Sequence, residues 1–201
     1  MRRDRPRRAA DPRSAVVILV IDTSSARSAV ALVEDGRLVA ESVKPSGREY
    51  DVGSEVAALV PELRWLAGVA VALGPGSFTG LRQGISYGLG LAMGLAAPLY
   101  GLRTLELQAA RAPRPAMGVS DAGRGRVYFL APDGRTGLTE PPGLPKEWPA
   151  VGWLKTAGVE LLPEAGLLPF GEAAARLVRT AREVGYGTVS PEYMQSFGGL
   201  L

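Results

Sequence analysis

Two aspartates and one glycine-rich loop are the residues of this sequence whose types and spacing could do chemistry. Asp22 closes the apolar run Val16 to Ile21 and is followed by Thr23 and Ser24; Asp121 closes a second run, "AMGVSD". Two carboxylates at the ends of like strands would hold a magnesium–phosphate group if both faced one cleft. Otherwise each accepts backbone N–H groups in its own turn, and this is the reading preferred. The loop "GPGSFTG" sets Gly74, Gly76 and Gly80 where backbone N–H groups at a helix N-terminus could cradle an anion. It is not a P-loop, because Gly80 is followed by Leu81 and Arg82 rather than Lys and Ser/Thr, and it misses the dinucleotide fingerprint by one residue. The candidates for holding a nucleotide or other anion are therefore Asp22, Thr23, Ser24, Gly76, Ser77 and Asp121. Ser77 and Thr79 have no neighbouring base to activate them, so helix-cap and turn hydrogen bonds are their expected roles. Arg82, one turn on, is placed to grip an anion or an acidic partner, or simply to sit on the surface.

The composition closes most other chemistries. The 201 residues contain no histidine and no cysteine, which removes the commonest general base, the usual transition-metal ligands and every His-activated nucleophile. No catalytic residue, metal ligand or cofactor is assigned. Hydrophobic residues make up 46% of the chain, enough for a real core in one domain or two small lobes. The formal charge is +3, yet "MRRDRPRRAADPR" alone carries six arginines against Asp4 and Asp11, so the basicity belongs to the first residues. Residues 1–15 are expected to be a disordered tail; an arm touching RNA through charge alone is the second reading. With no uncharged span of membrane length, a cytoplasmic location is expected and no membrane contact.

The elements that must position these residues follow from periodicity. Val16 to Ile21 suits a central strand buried on both faces. "AVALVEDGRLVAESV" alternates about Asp35-Gly36, which predicts a hairpin of residues 28–34 and 37–43. Val52, Val56, Leu59, Val60 and Leu63 fall at helical spacing, predicting a helix from Asp51 to Leu63 that Pro61 kinks or ends. A short strand over 69–73, the glycine loop with a long helix, an extended "APLYGL" and a helix capped by Thr104 complete an α/β lobe, residues 16–112. Residues 113–195 form a second, smaller lobe that repeats strand, Asp, turn and strand, which suggests an internal duplication. "PFGEAAARLVRTAREV" reads as one amphipathic helix, with Leu177, Val178, Ala181 and Val184 on its apolar side. Residues 196–201 are expected to be disordered.

The long helix is the most telling element. Gly80, Gly84, Gly88 and Ala92 recur every fourth residue as one smooth ridge, and Ser86, Gly90 and Gly94 form a second elsewhere on the circumference. Each interior glycine weakens a helix by about 0.5–1 kcal/mol relative to alanine, so close packing must return that stability. One face can lie on the lobe's own sheet. The other needs a second helix, either that of residues 51–63, another subunit, or both; an unusually tight internal core is the competing reading, and a subunit interface is favoured, with Val52, Val56, Leu59, Gly80, Gly84, Ile85, Gly88 and Ala92 as the interface residues.

With Asp22-Thr23-Ser24, "GPGSFTGLRQG", "GLRTLE", "VSDAGRGRVY" and "VSPEYMQ" in view, residues 16–195 resemble the TsaB (YeaZ) family, a bacterial subunit of the machinery that makes N6-threonylcarbamoyladenosine in tRNA. The resemblance implies an actin-like (ASKHA, ribonuclease H-like) two-lobed α/β fold with a reduced second lobe. It implies a non-catalytic scaffold and activator whose partner TsaD performs the transfer and whose ATPase companion is TsaE, with tRNA contact indirect or through the arginine tail. It further implies that the glycine helix and the helix before it form both the homodimer surface and the TsaD surface. The alternative is a nucleotide-binding phosphotransferase or a peptidase-like enzyme of the actin-like superfamily. The sequence departs from the family in having "GREYDVGS", without histidine, at the start of the first helix, and a short "RWLAG" after it.

Overall fold

A computed structural model describes residues 15–192, and the basic tail and the final residues fall outside them. Strand β1 (Val17–Asp22) runs into β2 (Arg27–Glu34) and β3 (Arg37–Pro45) as an antiparallel meander. Asp35 and Gly36 take φ of 49° and 72°, the doubly left-handed turn whose twist matches paired strands. Helix α1 (Val52–Leu59) is capped by Asp51, whose carboxylate accepts from the N–H groups of Gly53 and Ser54. It stops at Leu59, four residues short of the predicted end, because Pro61 cannot continue it and the N–H of Val60 closes the last turn on Val56. Strand β4 (Leu66–Gly74), helix α2 (Phe78–Leu95) and β5 (Leu99–Arg103) follow. The central sheet therefore contains β3-β2-β1-β4-β5 in that order, with β1, β4 and β5 parallel.

Helix α3 (Thr104–Ala109) leads into the second sheet of β6 (Met117–Gly123), β7 (Arg126–Leu130), β8 (Thr136–Thr139) and β9 (Ala150–Trp153). Its order is β8-β7-β6-β9, with β6 and β9 parallel and the other pairs antiparallel. This is the plan of the first sheet again, a meander with the next strand laid parallel beside its first, cut short by one strand. The repeated pattern read in the sequence is a repeat of topology.

Three local expectations change. Thr104 is the first residue of α3 rather than its cap, and its hydroxyl turns back to Ser24, 3.0 Å away. The predicted C-terminal helix shortens to α4 (Phe170–Val178), and its expected last turn becomes β10 (Arg182–Glu183), paired antiparallel with β5. Satisfying the open edge of the sheet outweighs another helical turn. Helix α4 packs on a face of the first sheet and β10 pairs into it, so residues 170–183 sit with the first sheet and not with the second. Phe170, Ala174, Ala175 and Val178 bury against Val20, Ala29, Ala31 and Val33 on one face of that sheet. Helices α1 and α2 cover the other face with Val52, Val56, Leu81 and Ile85 against Leu19, Ile21, Val30 and Val71. No helix among the described residues is long and apolar enough to cross a membrane.

The glycines of α2 divide by face. A Cβ at Gly80 would lie inside contact distance of the Thr23 carbonyl oxygen, and one at Gly88 inside that of the Val71 side chain, whereas nothing stands within 4 Å of a Cβ at Gly90 or Gly94. Gly80→Ala is expected to destabilise the fold by about 1–3 kcal/mol, since the obstacle is backbone. Gly90→Ala should instead stabilise it by about 0.5–1 kcal/mol through helix propensity alone. Urea unfolding of the two variants beside the parent checks both signs.

Candidate functional site

The turn after β1 and the glycine loop after β4 meet backbone to backbone. Ser77 N–H donates to the Ser24 carbonyl at 2.7 Å, and the Thr23 hydroxyl donates to the Gly80 carbonyl at 2.6 Å. A side chain at Gly76 would strike the Ser24 backbone, as one at Gly80 would strike that of Thr23. Ser77 caps α2, its hydroxyl accepting from the Gly80 N–H at 3.3 Å. The second lobe closes on both segments: the Ser120 hydroxyl donates to the Pro75 carbonyl of the glycine loop at 3.0 Å, and Ala26 N–H of the turn after β1 donates to the Trp153 carbonyl at 3.2 Å.

These contacts form the floor of a cleft of about 1040 Å³ between the lobes. The first lobe contributes the segments 23–26, 46–48 and 76–80; the second contributes 121–125, Tyr128 and 155–157. Of the six predicted anion-binding residues, Thr23, Ser24, Gly76, Ser77 and Asp121 line this cleft and Asp22 does not. Asp22 is fully buried, with Oδ1 accepting from the N–H and the hydroxyl of Ser24 at 2.8 and 2.6 Å, while Oδ2 has no partner among the described residues. Burial pushes its carboxyl above the ordinary value, against the opposing pull of the two Ser24 hydrogen bonds. Asp121 spends both oxygens on the N–H groups of Lys155 and Thr156, at 2.7 and 3.0 Å. The picture of two carboxylates facing one metal–phosphate group is thus corrected: one is sealed beneath the floor and the other holds a turn. For Asp22 the turn is its own, as read from the sequence; for Asp121 it is the one after the neighbouring strand β9.

Sequence reading missed the cleft's cations. Arg48, Arg124 and Lys155 come from three separate loops, and only the pairing of β6 with β9 and the facing of the lobes brings them to one cavity. Arg82 does not line it; its guanidinium lies 3.8 Å over the ring of Phe78.

The predicted interface residues need a second correction. Val52, Val56, Gly84, Ile85, Gly88 and Ala92 are buried, Leu59 and Gly80 partly so, all within the lobe to which they belong. Gly84 rests on Thr23 and Gly88 on Val69 and Val71, so this ridge meets the chain's own sheet. The ridge left open is the other one. Ser86, Gly90, Met93 and Gly94 of α2 are exposed, as are Ser54, Ala57 and Ala58 of the neighbouring α1. The signal that could have separated the ridges is Arg82, which heads the same i+4 row as Ser86, Gly90 and Gly94 and marks it as outer.

Comparison with known proteins adds the following. The family model described as "TsaD: tRNA N6-adenosine threonylcarbamoyltransferase" matches residues 59–137. The chain is 34% identical over 125 residues to the tRNA threonylcarbamoyladenosine biosynthesis protein TsaB of Escherichia coli (strain K12), a match covering 56% of this chain and 53% of that protein. It is 31% identical over 136 residues to the protein of the same description from Bacillus subtilis (strain 168), covering 62% of this chain and 58% of that one. The chain thus spans a little over half the length of these curated relatives. In three dimensions it is similar to YeaZ from Pseudomonas aeruginosa, with a TM-score of 0.69 and 22% identity over 89% of this chain and 99% of that one. That likeness establishes the fold alone, an α/β architecture of two sheets shared with that protein.

The state of Asp22 has a consequence in solution. Its folded pKa lies above the ordinary 3.8, so the native state binds this proton more tightly than the unfolded chain does. The contribution of the group to stability is full below about pH 3.8 and falls as pH rises to the folded pKa. Asp22→Asn mimics the neutral form; in urea unfolding it should match the parent at low pH and gain on it as pH rises through that window. Parallel pH profiles would show that the buried carboxylate carries no such penalty.

Proposed function

From the likeness to the TsaB/YeaZ family, which holds in sequence and in fold, we propose that this chain is a non-catalytic scaffold in tRNA threonylcarbamoyladenosine synthesis. It binds a TsaD-like catalytic subunit, within an assembly that includes a TsaE-like ATPase, and pairs with a second copy of itself when alone. Any contact with tRNA is through the partner or through the arginine tail.

The observation that carries this reading is the open row of α2. Gly90 and Gly94 have nothing within 4 Å of where a side chain would begin, and neither has the left-handed backbone that only glycine adopts readily. Nothing inside the lobe requires glycine there, yet each weakens the helix by about 0.5–1 kcal/mol relative to alanine. A second backbone coming close to the helix axis supplies the missing reason. The exposed side chain of Met93, at 56%, adds an adaptable apolar contact beside them, and Ala57 and Ala58 extend the smooth surface onto α1. Nothing favours the enzyme reading to the same degree, because Asp22, the carboxylate it would use, does not reach the cleft.

The test is co-elution of the purified chain with its cognate TsaD-like subunit, together with the mass of the chain alone. Gly90→Trp fills the open row without touching the core; it is expected to weaken the complex at least tenfold and to shift any homodimer toward monomer, with an unfolding midpoint of the monomer no lower than the parent's. A Gly90→Trp protein that co-elutes like the parent would remove α2 from the interface. Gly84→Leu is unsuited to this purpose, since Gly84 lies against Thr23 and its replacement disturbs the fold first.

A further inference from the structure

We propose that Trp153, together with the Arg111–Glu164 pair beside it, is a latch that holds the two lobes at one angle, so that the cleft has a single aperture. Trp153 is the last residue of β9 in the second sheet, yet its side chain belongs to the core of the first. It is 4% exposed and lies in one buried cluster with Val20, Ala29, Leu102 and Phe170. Its ring centroid stands 5.8 Å from that of Phe170, at 33°. Two guanidiniums lie over the indole, that of Arg111 at 4.6 Å and that of Arg27, on β2, at 5.8 Å. The backbone of the same residue is held as well, since its carbonyl accepts from Ala26 N–H.

The chain connections make this anchor decisive. Among the described residues the chain passes between the two sheets twice, at residues 104–116 and 154–169. Rotation of one lobe on the other must bend both crossings. They are clipped together. Leu168 N–H donates to the Arg111 carbonyl at 2.8 Å, Arg111 Nε donates to the Leu168 carbonyl at 3.3 Å, and the terminal nitrogens of Arg111 pair with the Glu164 carboxylate. Glu164 Oε1 in turn accepts the Trp153 indole N–H at 2.9 Å. Arg111 is buried and donates also to Gln108 Oε1 at 3.2 Å. A bend that parted the crossings would strip a buried guanidinium of its carboxylate and draw the indole out of a close-packed cluster, two changes that a folded chain resists strongly. Neither Arg27, Arg111, Trp153 nor Glu164 lines the cleft, so the latch sets its aperture from outside.

The experiment uses the full chain without partners, and its outcome does not depend on the scaffold reading. Because the sequence has no cysteine, spin labels can be placed through Glu172→Cys on α4, against the first sheet, and Thr136→Cys on β8 of the second; both positions are exposed. Pulsed electron–electron double resonance, with labelled chain diluted into unlabelled, reads distances within one molecule. The labelled parent should give one narrow distance, the same at low and high salt, because a buried pair is screened little. Arg111→Met combined with Glu164→Gln removes both charges at once and keeps an acceptor for the indole N–H, so the chain should stay folded. Its distance distribution should become about twice as wide. Trp153→Ala should broaden it further, and where that variant is too unstable to measure, the paired variant decides. A labelled parent with a broad or two-peaked distribution overturns the proposal. So does a paired variant, shown by urea unfolding to be folded, whose distribution stays as narrow as the parent's.

Discussion

The structure depends on how closely two pieces of backbone can approach. The turn Thr23–Ser24 and the segment Gly76–Gly84 share hydrogen bonds at 2.6 and 2.7 Å, and this contact exists only because Gly76, Gly80 and Gly84 have no side chains to hold it apart. From it follow the seat of α2 on the sheet and the position of the Ser77 cap at the cleft. The carbonyl of Pro75, which receives the Ser120 hydroxyl from the second lobe, is fixed by the same loop. Apolar burial supplies the larger share of the stabilising free energy, but this seam sets the register in which that burial occurs.

The seam also separates two uses of glycine that composition alone merges. On the inner row, glycine is needed for contact within the chain, and bulk there would push α2 off β1 and β4. On the outer row no internal contact demands it, and its presence is a cost that the isolated lobe does not recover. One helix is therefore specified twice, by the sheet beneath it and by the surface it presents.

Much of this was legible before any coordinates. The Asp35-Gly36 hairpin, the run that became β1 and the repeated meander were readable because their signals are local: turn residues with a required φ, and strand periodicity. What could not be read was non-local. The carboxylate of Asp121 is engaged by N–H groups more than thirty residues away, and the chain beyond Val178 turned from helix to strand because the edge of β5 stood open. Both ridges of α2 are legible in the sequence, yet the ridge expected to meet a partner is the one that rests on the chain's own sheet. Periodicity states which residues share a face and not which face the sheet takes, and both rows are equally small. The polar head of the outer row, Arg82, held the missing information.

Asp22 shows how the repeated topology has been put to different ends in the two lobes. It ends β1 as Asp121 stands near the end of β6, yet one carboxylate is sealed beneath the seam with an orphaned oxygen and the other is exposed to the cleft and fully engaged. A sealed acid with a raised pKa is poorly placed to coordinate a ligand in water-filled space, and Asp121 already has both oxygens engaged by backbone donors. The cleft is left with its cations as the dominant charges. A repeated topology that could have set two carboxylates facing each other has instead produced a floor of hydroxyls and backbone beneath walls that carry Arg48, Arg124 and Lys155.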